Sequence, residues 1–143
     1  MLEFDIPMSN MAQIKVIMKR EDSGMFLADP QHNYKVGLHG YGKTADEALN
    51  DLRCVWEEAQ EFCPELPEVS AMEFVVKYEV ASFLQEYAGL FSLAGLEKIT
   101  GIHQKQLGHY LNGNKRPRPE TTRKIEHALI QFRTRFDQVQ FVD

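Results

Sequence analysis

The chain has 143 residues, of which 43% are hydrophobic and 26% are charged, and its formal net charge at pH 7 is −5. This length is enough for one or two domains with cores of their own. The longest apolar runs are only a few residues long, and Glu3 and Asp5 stand where a signal peptide would carry positive charge. Neither a membrane-spanning helix nor a secretion signal is therefore expected, and we expect a cytoplasmic protein.

The charge is distributed unevenly along the chain. Residues 1–91 contain 7 Lys and Arg against 16 Asp and Glu, a net charge of −9. Residues 92–135 contain 9 against 3, a net charge of +6, and residues 136–143 add −2. A basic segment suits nucleic acid, whereas an acidic segment repels nucleic acid and attracts basic proteins. The two parts of the chain are therefore expected to bind different partners.

Alternation of apolar and polar residues predicts an antiparallel sheet in the first half of the chain. Residues 1–11 show no periodicity and are predicted to be a flexible leader. Residues 29–33, which include Pro30, are predicted to break the second strand, and residues 40–42 to close the third. The predicted strands are residues 13–20, 25–28, 34–39 and 72–80.

The clearest helix start in the sequence is Thr44 followed by Glu47, the spacing of a capping box. Apolar side chains then recur at helical spacing over about five turns, until Pro64 and Pro67 end the helix. Together with the strands, this long helix predicts an α+β domain over residues 12–80. The predicted inner face of the helix consists of Ala45, Ala48, Leu49, Leu52, Val55, Trp56, Ala59 and Phe62.

The two cysteines, Cys54 and Cys63, lie nine residues apart on this predicted helix. At about 100° per residue they point to opposite faces, so they cannot pair with each other. Neither a disulfide framework nor a CxxC metal pattern is present, which agrees with a reducing compartment.

Short helices with short connectors are predicted over residues 81–143, an all-α domain. Ser92 is placed as a helix N-cap, and Pro119 suits a first helical position, where its missing N–H would be unpaired anyway. The weak alternation of residues 138–142 is compatible with a short terminal strand. The predicted helices are residues 81–87, 92–100, 103–112 and 119–136, the last with Ile125, Ala128, Leu129, Phe132 and Phe136 on its inner face.

Residues 101–119, GIHQKQLGHYLNGNKRPRP, differ in chemistry from the rest of the chain. Ile102, Leu107, Tyr110 and Leu111 predict one buried helix face. The opposite face carries long hydrogen-bonding side chains suited to base edges in a major groove, and the cations after the helix are suited to DNA phosphates. The predicted DNA-binding residues are His103, Gln104, Lys105, Gln106 and His109 on the helix and Lys115, Arg116 and Arg118 in the loop.

Simpler explanations of the same residues are an ordinary solvated helix face and a solubilising loop. The turn before the helix and the basic loop after it favour DNA. Asn112 and Gly113 end the helix, since both tolerate the left-handed conformation of a helix stop. Gly108 lies inside the helix, where glycine costs roughly 0.5–1 kcal/mol relative to alanine; close approach of another helix would explain it.

Two segments resemble known families. The step Gly42, Thr44, Glu47, Ala48 and Leu49 into the long helix resembles the G-x-T-x-x-E-A-L step of the HicB antitoxin domain. The segment SLAGLEKITGIHQKQLGHYLNGNKRPRP, with the helix after it, resembles a Cro/Xre-like helix-turn-helix. Together the two resemblances cover roughly residues 12–135.

The resemblance implies an antitoxin of a HicA/HicB-type toxin–antitoxin pair. In that family a truncated RNase H-like domain covers a small basic toxin that cleaves mRNA, and the C-terminal domain binds the operator of its own operon as a dimer or higher oligomer. We therefore expect a transcriptional repressor with two partners, a HicA-like toxin and operator DNA, and no cofactor. The alternative is a stand-alone transcriptional regulator whose N-terminal domain senses a small ligand.

An enzyme is not expected, although RNase H-like folds elsewhere hold metal ions with clustered carboxylates. Glu47 is used for capping, and the other acids follow the outer face of the long helix without matching acids at strand centres. The five histidines show no metal-ligand spacing, so no metal site is expected. The acids considered are Asp29, Asp46, Glu47, Asp51, Glu57, Glu58 and Glu61.

Overall fold

The computed structural model describes residues 11–143 and has a mixed α+β architecture, which confirms the predicted fold class. It divides into two compact units, the first ending at Glu79 and the second running from Val80 to Asp143. Unit 1 is a four-stranded sheet with one long helix, and unit 2 consists of four helices. Each unit has its own hydrophobic core. The predicted leader, residues 1–11, lies outside the described residues except for Met11.

The strands of unit 1 are β1, Ala12–Arg20; β2, Phe26–Gln31; β3, Gly40–Gly42; and β4, Met72–Tyr78. Their order in the sheet is β3-β2-β1-β4. As predicted, β1 pairs antiparallel with β2. Residues 40–42, which were predicted to close the third strand, instead form β3 and pair antiparallel with β2. Strand β4, however, runs parallel to β1, because the long helix between β3 and β4 is a crossover connection that brings the chain back in the direction of β1.

Two strand predictions were wrong between residues 25 and 42. The second strand continues through Asp29 and Pro30, because Pro30 lies beyond the last β2–β3 pair, Ala28–Gly40, at a position where the strand has a free edge that tolerates proline. Residues 34–39 form no strand, although Leu38 is buried. Their alternation therefore indicated inward-facing side chains, but not a strand partner.

The helix α1, Ala45–Ala59, begins as predicted at Thr44, whose Oγ1 accepts a hydrogen bond from the Glu47 N–H at 3.1 Å. The Glu47 carboxylate accepts a hydrogen bond from the Lys43 N–H at 2.8 Å. In a capping box it would accept from the N–H of Thr44, one residue later. The helix packs closely on β3. A Cβ placed on Gly40 would lie 2.2 Å from the Ala48 carbonyl oxygen, so the contact requires glycine.

Trp56 is fully buried in the core of unit 1, where its Nε1–H donates to the Pro67 carbonyl at 2.9 Å. The helix ends at Ala59, earlier than predicted, and the chain turns over residues 60–62. The core assignment of Phe62 was therefore wrong, since this side chain is 74% exposed. Cys63 also lies beyond the helix, and both cysteines are free thiols.

Unit 2 follows the predicted helix pattern closely. Its core contains Leu84, Leu96, Ile102, Leu107, Tyr110 and Ile125. Phe136 was predicted on the inner face of the last helix but is 59% exposed, and residues 138–142 form no strand. Of residues 130–136 at this end of the helix, all but Phe132 are exposed. The helices are α2, Val80–Tyr87; α3, Leu93–Thr100; α4, Gln104–Leu111; and α5, Pro119–Phe136.

Among the described residues, no helix is both long enough and apolar enough to cross a membrane.

Candidate nucleic-acid interface

The turn between α3 and α4 is fixed by local hydrogen bonds. Ser92 caps the start of α3 by accepting the Gly95 N–H at 2.9 Å. At the other end, Gly101 adopts φ 74°, the left-handed conformation that favours glycine, and donates its N–H to the Glu97 carbonyl at 2.8 Å. The Thr100 hydroxyl donates to the Leu96 carbonyl at 2.7 Å and accepts from the Ile102 N–H at 3.2 Å. The direction in which α4 leaves α3 is thereby set.

One face of α4 is buried, which determines what the other face presents. Leu107 is completely buried and Tyr110 is only 4% exposed, and Ile102 before the helix is buried with them. A contact from α2 holds the C-terminal end, where the Gln85 side-chain amide donates to the Leu111 carbonyl at 3.0 Å. Sequence patterns could not reveal this bond, because the two residues are 26 positions apart and nothing local couples them.

The outer face of α4 consists of the residues predicted to contact DNA. His103, Gln104, Lys105 and Gln106 are exposed, and His109 is half-buried. His103 is the N-cap, and its Nδ1 accepts the Lys105 N–H at 3.1 Å. An imidazole that accepts at Nδ1 retains Nε2 as a donor in its neutral form.

The basic loop after α4 folds back onto the end of the helix. Asn114 and Lys115 both donate their N–H groups to the His109 carbonyl, at 2.9 and 3.3 Å, and Gly113 adopts φ 73° to allow the reversal. Lys115 therefore joins the outer face of α4, although it lies outside the helix. Five of the eight predicted residues line one open depression of about 380 Å³, namely His103, Lys105, Gln106, His109 and Lys115.

The other three predicted residues, Gln104, Arg116 and Arg118, are exposed but do not line this depression. The backbone of Arg118 caps α5, and its side chain makes no capping bond. Both arginines are therefore available to a ligand that extends beyond the depression, as a duplex backbone does.

This surface is cationic, and no ion pair within the described part of the chain neutralises it. Residues 98–119 contain no Asp or Glu, and their five cations form no ion pair within residues 11–143. A polyanion would gain the full attraction of these charges, screened by salt but not by carboxylates of the same segment. The five cations are Lys98, Lys105, Lys115, Arg116 and Arg118.

The sequence assigned Tyr110 to the core, and its ring is buried there. The hydroxyl has a second contact that periodicity did not indicate, because it accepts a hydrogen bond from Nε2 of Gln106 at 2.6 Å. The i, i+4 spacing of the two residues was the available signal, since side chains four apart are neighbours on a helix. Tyr110 therefore connects the buried face of α4 to its outer face.

The acids of unit 1 are placed differently from one another. Asp51 accepts the Tyr41 N–H at 2.8 Å, which ties α1 to β3, and Asp29 lies 3.4 Å from Nε2 of His39. Among the described residues, no three His, Cys, Asp or Glu side chains are grouped in a way that could hold a metal ion. The acids exposed along α1 and the turn after it are Asp46, Glu47, Glu57, Glu58 and Glu61.

Comparison of this chain with protein families, with curated proteins and with solved structures finds no match.

Proposed function

We propose that the protein is an antitoxin of a HicA/HicB-like type II system that also represses its own operon. Unit 2 binds operator DNA with α4 in the major groove, and unit 1 neutralises a small basic toxin that cleaves mRNA. The observation that carries the proposal is the outer surface of α4 with its basic loop, where hydrogen-bonding side chains and unpaired cations lie side by side. The two sequence resemblances support the link to the toxin.

The geometry of α3 and α4 fits a helix-turn-helix. In such motifs the second helix lies in the major groove, and residues near its N-terminus contact base edges. Here the first turn of α4 contains Gln104, Lys105 and Gln106, all exposed. A glutamine side chain can bond adenine through two hydrogen bonds, and each good pair is worth about 1–3 kcal/mol of discrimination.

Lys115, Arg116 and Arg118 are assigned to the phosphates. All three are exposed in a loop that Pro117 and Pro119 stiffen. Contacts to phosphates position a protein on the duplex without reporting its sequence. These cations should therefore supply affinity, and the first turn of α4 should supply sequence preference.

The division of roles is tested by mobility shifts on a randomised operator library. Arg116→Ala should weaken binding to all sequences about equally, whereas Gln104→Ala or Gln106→Ala should change the preference at one or two base positions. Lys77→Ala, an exposed lysine in β4 of unit 1, is the control and should change neither. Equal tolerance of the Arg116 change and of both glutamine changes would refute α4 as the recognition helix.

For the toxin, the proposed surface is the acidic outer face of α1. This face has the charge that a basic protein requires, and residues 1–79 of the sequence contain 7 Lys and Arg against 15 Asp and Glu, a net charge of −8. Electrostatic complementarity of this kind mainly raises association rates and suppresses wrong partners. The proposal requires a neighbouring reading frame that encodes a small basic protein.

Co-expression with that neighbour tests the toxin assignment. The two proteins should co-purify, and the double variant Glu57→Lys/Glu61→Lys should reduce the yield of the complex. The matched control, Glu21→Lys/Asp22→Lys, makes the same change of charge in an exposed turn and should leave the complex intact. Failure of the wild-type pair to co-purify would favour a stand-alone regulator.

A dimer or higher oligomer belongs to the same proposal, because one recognition helix contacts few bases. Two half-sites one helical turn apart, about 34 Å, would restore specificity. Sizing of the protein with and without operator DNA should show two copies on each operator. A cytoplasmic location is part of the proposal, since operator DNA lies in that compartment and the two free cysteines agree with a reducing environment.

A further inference from the structure

The side chains of Gln104 and Gln106 differ in how they are held. The Gln106 side chain donates from Nε2 to Oη of Tyr110 at 2.6 Å. The Gln104 side chain makes no hydrogen bond within the described part of the chain. Both side chains are exposed, so exposure alone does not distinguish them.

The acceptor of the Gln106 bond is fixed in space. The Tyr110 ring is 4% exposed and packs in the core of unit 2 with Leu107, Ile102 and Leu84. A closely packed ring cannot change its rotamer without disturbing its neighbours. The hydroxyl therefore provides a stationary anchor at the edge of the core, one helical turn after Gln106.

We propose that Tyr110 is a positioning residue that makes Gln106, rather than Gln104, the adenine-selecting side chain of α4. The inference rests on the proposed DNA-binding function. An amide group has two N–H donors and one oxygen. One N–H of Gln106 is bonded to Tyr110. The other N–H can donate to N7 of adenine, and Oε1 can accept from the N6 amino group, which together make a bidentate contact.

Holding the side chain in advance favours this contact over one made by Gln104. A free glutamine loses rotamer freedom when it binds, and that loss weakens binding. Gln106 has already lost part of this freedom in the free protein, because the bond to Tyr110 restricts its torsions. Its discrimination between bases is therefore greater than that of the unheld Gln104.

The test is Tyr110→Phe, which removes the hydroxyl and keeps the buried ring. The probes are duplexes selected by the wild-type protein from a randomised library of about two helical turns, and single-base variants of the best one. Discrimination is the ratio of the dissociation constants for a single-base variant duplex and for the best duplex. At one A·T position this ratio should be about three- to ten-fold lower for Tyr110→Phe than for the wild-type protein. Binding to an unrelated duplex and the urea midpoint should stay close to wild type.

A double-mutant cycle with Gln106→Ala, at an exposed position, separates positioning from a structural role. In the Gln106→Ala background, Tyr110→Phe should have no further effect on discrimination at that position. An equal effect in both backgrounds, or no effect in either, would overturn the inference. So would loss of discrimination at that position in Gln104→Ala but not in Gln106→Ala.

These outcomes are distinct from failure of the proposed function. If the wild-type protein selects no sequence and binds no duplex at low salt, DNA binding itself is refuted. If the wild-type protein selects a sequence and Gln106→Ala relaxes it while Tyr110→Phe does not, only the role of Tyr110 is refuted.

Discussion

Helices α1 and α4 are built alike on their buried faces and differ on their exposed ones. Both begin with a side chain that accepts a backbone N–H, Thr44 in α1 and His103 in α4. Both bury an apolar stripe, centred on Leu52 and Leu107, which are fully buried. Outside, α1 presents mainly carboxylates, whereas α4 presents amides, imidazoles and a lysine. The buried face therefore secures each helix, and in the proposed function the exposed face selects the partner.

The same contrast extends to the two units. Residues 1–79 of the sequence have a net charge of −8, and residues 80–143, with 9 Lys and Arg against 6 Asp and Glu, have a net charge of +3. Glycine also has different roles in the two. Gly40 allows α1 to lie against β3, whereas a Cβ on Gly108 in α4 would meet Cδ1 of Leu93 at 3.5 Å, an ordinary contact. The hypothesis that Gly108 permits close approach of another helix was therefore wrong.

The largest effect is expected from Gly40→Ala. The added Cβ would meet backbone atoms of α1, which cannot move aside as a flexible side chain can. Overpacking of this kind should lower the free energy of unfolding by about 3 kcal/mol. Urea denaturation measures the loss. Gly37→Ala is the matched control, because no atom lies within 4 Å of its new Cβ, and it should not destabilise the protein. Equal urea midpoints for the two variants would refute the close packing of α1 on β3.

The next effect is on DNA binding and tests the difference in charge between the units. Replacing Lys115, Arg116 and Arg118 together by alanine should reduce the slope of log affinity against log salt by about 2.7, that is about 0.9 for each phosphate contact. Between 50 and 200 mM salt, the affinity of the triple variant for the duplex should therefore fall about 40-fold less than that of the wild-type protein. Titration of a labelled duplex at several salt concentrations gives the slope.

The control for this charge change replaces three exposed lysines of unit 1, Lys15, Lys35 and Lys77, by alanine. The net charge changes by the same amount, so a purely global electrostatic effect would reduce binding equally in both triple variants. We expect the unit 1 variant to retain the wild-type slope.

Smaller effects are expected at the two helix caps. Thr44→Ala and Ser92→Ala each remove an oxygen that accepts a backbone N–H at the start of a helix, in unit 1 and unit 2 respectively. Each should cost about 1 kcal/mol of stability. Thr44→Ser and Ser92→Thr keep the oxygen and should cost much less in the same denaturation experiment. If the alanine and hydroxyl variants are equally stable, the caps do not contribute as described.

The smallest effect is a gain in stability. Gly108→Ala should raise the free energy of unfolding by roughly 0.5–1 kcal/mol, because alanine is the better helix former and its Cβ has room against Leu93. The urea midpoint should rise. A fall would mean that the space beside Leu93 is tighter than the 3.5 Å contact indicates.

Local signals predicted the helices of this protein well. Both ends of α5, Pro119–Phe136, were predicted from the sequence, as were the Ser92 cap and the Gly101 turn. These features depend on residues within one or two helical turns, so a short stretch of sequence is enough to predict them. The strands were predicted less well, because alternation at residues 34–39 indicates burial but cannot supply a partner strand.

The sequence by itself determined the caps, the amphipathic faces and the separation of charge, since each depends on neighbours along the chain. It also identified the exposed surface of α4. Tertiary structure alone decided that β4 runs parallel to β1 and that Phe62 lies outside the core. It also placed the Gln85 amide on the Leu111 carbonyl. These features depend on distances between separate segments, which no short pattern encodes.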